Sequence, residues 1–344
     1  MTPESWAGRW REDLPASPLR HLLLPGWMVL RPLISLRGVA YDRRLSRIHH
    51  LPVPVLSVGN LLAGGTGKTP AVKALAALLV ARGRCPAVIS RGYRADQGGR
   101  NEEAALVGDV PVVCDPDRVR GGRTALAAGA DVLILDDGFQ HRRLHRDLDI
   151  VLLDATRPWG RADGRSGAVL PLGYLRESPS ALRRAHLIWI TRWEQADPAR
   201  QAAILEVCGR VAPGIPVVHD RLVQAFLRPL AGGAAEPPAT WAGRPVLLAS
   251  GIGHPAAFED LARRLGLDVR AACRFPDHHH FTQAEADALA ARGLPLVVTG
   301  KDAVKLAALP KPPVAWVLEA RHELAEDGPA ILGRLVDEVL SARR

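Results

Sequence analysis

Lys68 and Thr69 stand at the end of a glycine-rich turn, in the run Val55-Leu56-Ser57-Val58-Gly59-Asn60-Leu61-Leu62-Ala63-Gly64-Gly65-Thr66-Gly67-Lys68-Thr69-Pro70. Apolar residues precede the turn, and a stretch rich in Ala, Leu and Val, Ala71 to Ala81, follows it. The pattern predicts a strand, a tight loop and a helix, in that order. Such a loop turns several backbone N–H groups toward an anion, and the helix N-terminus adds partial positive charge. In this arrangement Lys68 reaches the outer phosphates of a nucleoside triphosphate and the Thr69 hydroxyl ligates Mg²⁺. Gly64, Gly65, Thr66, Gly67 and Pro70 complete the candidate cradle. The spacing departs from G-x-x-x-x-G-K-[ST]: Leu62 takes the first glycine position, and the glycines are bunched as G-G-x-G-K-T.

Other segments carry chemistry of the same kind. Asp136 and Asp137 end the apolar run Leu133-Ile134-Leu135, where a carboxylate can hold Mg²⁺. Arg91 and Tyr93 follow a predicted strand, in the position that lines the ligand crevice of an open α/β sheet. Phe275-Pro276-Asp277-His278-His279-His280-Phe281 sets an acid beside three histidines. Consecutive histidines converge poorly on one ion, so acid/base or phosphate chemistry suits them better than a metal site, and a helix-capping loop would use the same residues. Arg176, in Leu170-Pro171-Leu172-Gly173-Tyr174-Leu175-Arg176-Glu177, is available to anions. Thr299-Gly300-Lys301-Asp302 opens a further helix with its acid near the N-terminus.

The elements that must position these groups alternate along the chain. Strands are predicted at 53–58, 87–90, 110–114, 132–135 and 150–154, with helices at 70–82 and 117–128. Short, continuously apolar strands between helices indicate a parallel sheet covered on both faces. The Gly/Pro/Arg-rich stretch 157–178 reads as a functional connection to a second α/β unit. That unit has strands at 187–191, 217–219, 246–250, 296–299 and 314–318 and helices at 196–208, 256–265, 283–292 and 329–342. The expected division is an arm over 1–48, a P-loop domain over 49–160 and a second α/β domain over 161–344, with the last helix able to return to the first domain.

Composition narrows the class. The chain has 344 residues, 47% of them hydrophobic and 24% charged, which fits a globular protein with room for two domains. Its four cysteines, Cys85, Cys114, Cys208 and Cys273, form no C-x-x-C pair, which fits a reducing compartment and neither a disulfide framework nor a zinc ribbon. The net charge of +9 suits an anionic partner, although solubility alone could account for it. No nucleic-acid-binding signature accompanies the charge. The N-terminus, with Glu4, Arg9, Arg11, Glu12 and Asp13, is not a secretory signal. From His21 to Val39 an apolar stretch is broken by Pro25, Arg31 and Pro32 and flanked by arginines. It is too interrupted to span a bilayer cleanly and reads as a helix lying on an anionic leaflet, or as an amphipathic helix packed on the domain.

Taken in order, V-G-N-x-x-x-G-G-T-G-K-T-P (58–70), S-R-G-Y (90–93), G-D-x-P (108–111), D-D-G-F-Q-H (136–141), L-P-x-G-x-L-R-E (170–177), G-I-G-H-P (251–255), F-P-D-H-H-x-F (275–281) and T-x-K-D-A-V-K (299–305) resemble the tetraacyldisaccharide 4′-kinases, the lipid A 4′-kinases. The resemblance covers almost the whole chain. It implies two α/β/α domains with largely parallel sheets, the first P-loop NTPase-like, and a membrane-associated N-terminal helix. It implies transfer of the γ-phosphate of ATP, with Mg²⁺, to the 4′-hydroxyl of a membrane-embedded tetraacyldisaccharide 1-phosphate, at the cytoplasmic face of the bacterial inner membrane. No obligate protein partner and no nucleic acid are expected. By position, Lys68 and Thr69 resemble the phosphate and Mg²⁺ ligands, Asp136 and Asp137 the metal-side acids, Asp109 the general base and His278 its supporting partner. Arg91, Tyr93, Gln140, His141, Arg176 and Glu177 become candidate substrate contacts. The chain departs from the family's G-D-E-P at Val110 and from its T-E-K-D at Gly300, each time losing a carboxylate. A nucleotide-driven switch protein would also use a G-G-T-G-K-T loop.

Overall fold

The structure, a computed structural model, describes residues 22, 24–63, 66–92, 110–160, 167–170, 172–277 and 279–342, without the side chain of Leu30. Gly64, Gly65, Tyr93, Asp109 and His278 lie outside the described residues. The chain divides into two compact units, one holding 18–221 and 324–344, the other holding 222–323.

In the first unit, β1 (Val55–Asn60), β2 (Pro86–Ser90), β3 (Val112–Cys114), β4 (Val132–Asp136), β5 (Leu148–Asp154), β6 (Leu187–Thr191) and the start of β7 (Val217–Pro229) form a parallel sheet in the order β3-β2-β4-β1-β5-β6-β7. β1 is therefore central, with β4 and β5 in register on either side, Val55 opposite Leu133 and Leu56 opposite Leu148. Every residue of β1, β2 and β5 is buried, which is why these strands read as unbroken apolar runs rather than alternating ones. Helix α1 spans Leu24–Asp42, α2 Lys68–Ala81, α3 Arg118–Ala127 and α4 Pro198–Val211. Asp117 caps α3 by accepting from the Val119 and Arg120 N–H groups, and Asp197 caps α4 through Arg200 N–H. The last helix of the chain, Gly328–Ala342, buries Leu332 and Val336 in the core that α2 shares with β1 and β5.

The second unit carries β8 (Pro245–Ser250), α5 (Pro255–Arg264), β9 (Asp268–Arg274), α6 (Gln283–Ala290), β10 (Leu296–Thr299), α7 (Gly300–Ala307) and β11 (Ala315–Leu324). Its strands run parallel in the order β11-β10-β8-β9. The last helix of the chain becomes α8.

The first compact unit extends past the expected boundary at 160/161. β6 pairs with β5, Ile150 opposite Leu187 and Asp154 opposite Thr191, and β7 pairs with β6. The ladder carries the first unit on to Arg221. β9 is a strand that the apolar-run pattern did not predict. It lies at the sheet edge, and its residues are only partly buried or exposed, so it has no continuous apolar run.

Candidate active site

The groups with chemistry collect at the carboxyl ends of β1 and β4, where a parallel sheet places its ligand crevice. β1 ends in Asn60, a buried polar residue whose amide donates to the Thr66 hydroxyl at 2.6 Å and so closes the loop on itself. Gly67, with φ 83°, sits in the left-handed region and turns the chain into α2. A β-carbon on Gly67 would meet the Thr191 Cγ2 at 3.4 Å, so β6 also shapes the loop. The Thr191 hydroxyl donates to the Thr66 carbonyl at 3.1 Å. Lys68 and Thr69 are the first two residues of α2, where backbone N–H groups lack helical acceptors.

Leu62 explains the missing glycine. It is 2% exposed and forms an antiparallel bridge with Leu175. It shares a core cluster with Leu61, Phe139, Trp159 and Leu182. The Ala63 N–H donates to the Tyr174 carbonyl at 2.8 Å, and the Arg176 N–H to the Leu61 carbonyl at 2.7 Å. Residues 172–177 thus strap the start of the loop, and the segment expected as a functional connection brings Arg176 to Asp137 and Glu177 to Gln140.

Asp137 is the hub. Its backbone has φ 55°, uncommon for a residue other than glycine. One carboxylate oxygen lies 3.5 Å from Lys68 Nζ and the other 2.6 Å from Arg176 Nη1. Burial alone would raise its carboxyl, but Lys68 and Arg176 outweigh burial and hold it below the ordinary carboxylate range. Gln140 links the parts: its amide donates to the Asn60 carbonyl at 3.0 Å and to Glu177 at 3.1 Å. Glu177 in turn accepts from Arg184 at 2.8 Å, whose guanidinium lies 4.6 Å from the Phe139 ring centroid. Arg118 Nη2 donates to the Asp136 carbonyl at 3.3 Å.

Of the remaining candidates, Arg91 follows β2 and is exposed. His141 is drawn into a different environment. Burial, with Arg118 and Arg146 beside it, depresses its pKa to about 4, so its ring is neutral at pH 7. In the second unit His279 is held by Glu285 at 3.0 Å and stacked on Phe275 at 4.9 Å, which makes it a brace of its own loop. Asp302 is fully buried, accepting from the Gly251 N–H at 3.0 Å and the Thr299 hydroxyl at 2.6 Å. A β-carbon at Gly300 would meet nothing within 4 Å, so packing does not force the departure there.

The sequence pattern missed Asn60, Asp154, Thr191 and Arg192 as parts of the site's surroundings. Asp154, at the end of β5, is fully buried and accepts from Arg192 at 2.6 Å and from the Thr156 hydroxyl at 2.6 Å. One signal was readable: Asn60, Asp154 and Thr191 are each the polar last residue of an apolar strand.

The oxygen set of Thr69, Asp136 and Asp137 suits a hard divalent cation such as Mg²⁺, and the depressed Asp137 carboxyl is ionised to bind one.

Comparison with known proteins agrees with this geometry. The family model for Tetraacyldisaccharide-1-P 4′-kinase matches residues 19–340. A tetraacyldisaccharide 4′-kinase of Anaeromyxobacter dehalogenans (strain 2CP-C) is 44% identical over 304 residues, covering 80% of this chain and 78% of the relative. One from Geobacter sulfurreducens is 41% identical over 339 residues, covering 89% and 90%. The crystal structure of LpxK from Aquifex aeolicus in complex with ATP is similar with a TM-score of 0.68 at 30% identity, covering 94% of this chain and 99% of that one. The chain belongs to the tetraacyldisaccharide-1-P 4′-kinase family.

Proposed function

We propose that this protein transfers the γ-phosphoryl group of ATP to the 4′-hydroxyl of a tetraacylated glucosamine disaccharide 1-phosphate, giving lipid IVA in lipid A biosynthesis. The observation that carries the reading is the Lys68–Asp137–Arg176 constellation at the head of α2, in a chain of this family. Phosphoryl transfer spreads negative charge over the moving oxygens, so the protein's task is positioning and charge neutralisation. Lys68 and the N–H groups at the start of α2 supply fixed positive charge for the β- and γ-phosphates. Thr69, Asp136 and Asp137 would hold Mg²⁺, which when bound neutralises charge on those phosphates.

Asp109 is proposed as the general base, and His278 as the residue that orients it, both on the resemblance of their segments. The acceptor hydroxyl gives its proton to Asp109 as the new O–P bond forms and the bond to the leaving ADP breaks. Arg91, Tyr93, Gln140, His141, Arg176 and Glu177 are proposed to contact substrate, with Gln140 and Arg176 supported by their places beside Asp137.

No helix among the described residues is long and apolar enough to cross a membrane. Helix α1 exposes Met28, Val29, Leu33 and Leu36, which supports a peripheral seat on the cytoplasmic face of the inner membrane. The reaction requires no partner protein. The test is transfer from labelled ATP to the dispersed lipid acceptor; ATP hydrolysis that answers to a partner protein and not to lipid would favour a nucleotide switch instead.

A further inference from the structure

Helix α1 has two different sides. Met28 is 67% exposed and Leu36 63%, and Arg31 and Arg37 fold over Trp27 and Tyr41 with ring distances of 4.9 and 5.7 Å. Exposed apolar side chains edged by arginines stacked on aromatic rings match an anionic lipid surface.

The other side is a joint. Arg142 Nη1 donates to the Gly38 carbonyl at 3.0 Å, Nη2 donates to Asp42 at 2.6 Å, and the guanidinium lies 5.3 Å from the Tyr41 ring centroid. These contacts sit at the C-terminal turn of α1, where a cation is favoured and an acid is not, so Arg142 offsets the charge of Asp42 there. A guanidinium fork can serve carbonyl, carboxylate and ring together; an ammonium cannot match that geometry. The Arg142 side chain is only 15% exposed, whereas that of Asp42 is 57% exposed.

Arg142 belongs to the turn that follows Asp137. Its N–H donates to the Gln140 carbonyl at 3.1 Å, and the His141 N–H donates to the Gly138 carbonyl at 2.8 Å. The chain leaving α1 returns to the same turn. The His49 N–H donates to the Arg143 carbonyl and the His145 N–H to the His49 carbonyl, both at 2.8 Å, while the His50 and His145 rings stack at 4.4 Å. One short loop therefore holds both α1 and the Asp137 carboxylate that faces Lys68.

We propose that Arg142 is a positioning residue that fixes α1 against the Asp137–Gln140 loop, so that seating of α1 on an anionic bilayer orients the phosphate-transfer site toward an acceptor embedded in that bilayer. This rests on the lipid-kinase reading above. Arg142 touches neither nucleotide nor acceptor in this account, so its removal acts on presentation rather than on chemistry.

The experiment compares wild type, Arg142→Ala, Arg142→Lys and Asp42→Asn on the acceptor in phosphatidylglycerol/phosphatidylethanolamine vesicles and on the acceptor dispersed in detergent. Vesicle flotation and the KM for ATP are measured alongside. Arg142→Ala should float as wild type does and keep its KM for ATP. It should lose on the order of tenfold in kcat/KM on vesicles and less than about twofold in detergent. Arg142→Lys should recover little, and Asp42→Asn should show a smaller loss, again confined to vesicles. Equal losses in both formats, or none in either, overturn the proposal. If Arg142→Ala fails to fold, the exposed Asp42→Asn change decides by the same comparison. A wild type that floats and phosphorylates lipid, with variants that do not discriminate, refutes the joint alone; a wild type that phosphorylates no lipid refutes the reading beneath it as well.

Discussion

Leu62→Gly restores the glycine of the standard phosphate-binding pattern, yet the structure predicts that it damages the protein. The Leu62 side chain is 2% exposed and is packed against Leu61, Phe139, Leu175 and Leu182. Emptying such a site costs about 2.7–5 kcal/mol as a leucine-to-alanine change, through lost burial and the cavity left behind. Going on to glycine adds about 0.5–1 kcal/mol of backbone entropy. The expected loss is thus roughly 3–6 kcal/mol, large beside a typical domain stability of about 5–15 kcal/mol. It falls on the bridge to Leu175 and hence on the strap that delivers Arg176 to Asp137. Urea denaturation followed by far-UV circular dichroism reads the stability, and initial rates against ATP read the site. The midpoint should fall sharply and kcat/KM for ATP should drop, while Leu62→Met should lose less than about 1.5 kcal/mol. A Leu62→Gly protein with wild-type midpoint and kcat/KM would refute the claim that this leucine is the loop's structural anchor.

Gly67→Ala places a β-carbon at φ 83°, so it should cost about 1–2 kcal/mol and raise the Kd for ATP, read by calorimetric titration; unchanged affinity would count against the left-handed turn. Asp109→Ala should lower kcat by roughly 10²–10⁴-fold with little change in the KM for ATP, and near-normal turnover would remove Asp109 from the base role. His141 has a folded pKa of about 4 against an ordinary value of 6.5, so the unfolded chain binds the extra proton between those values. Stability therefore rises with pH through that window and is lost as pH falls from about 6.5 to 4. Denaturation midpoints at both ends of the window should converge in His141→Gln; an equally steep loss in that variant would assign the acid sensitivity elsewhere.

Much of this site could be read in the sequence, because its logic is local. The apolar run, the glycines and Lys68-Thr69 are contiguous, and Asp136-Asp137 close an equally apolar strand. The strand ends were less legible. The expected first strand stopped at Val58, but β1 runs to Asn60, because a polar residue can be buried where a partner such as Thr66 satisfies it. The strap was legible as a motif carrying Arg176 and Glu177, but its pairing was not. Its pairing of Leu62 with Leu175 joins distant parts of the chain, and its Gly- and Pro-rich composition carries no periodicity. The extent of the first unit was not legible for the same reason, since Tyr174 and Arg176 return to the phosphate loop and the sheet continues through β6. His279 was one of three adjacent histidines with no pattern to separate them; its contacts with Glu285 and Phe275 assign it to bracing its loop.

The most direct measurement is phosphate transfer by purified protein with radiolabelled ATP, Mg²⁺ and detergent-dispersed tetraacyldisaccharide 1-phosphate, run beside Lys68→Ala. The account predicts label in a bis-phosphorylated lipid with the wild type and its loss with the variant. ATP turnover that leaves the lipid unlabelled, or labelling that survives Lys68→Ala, would contradict it.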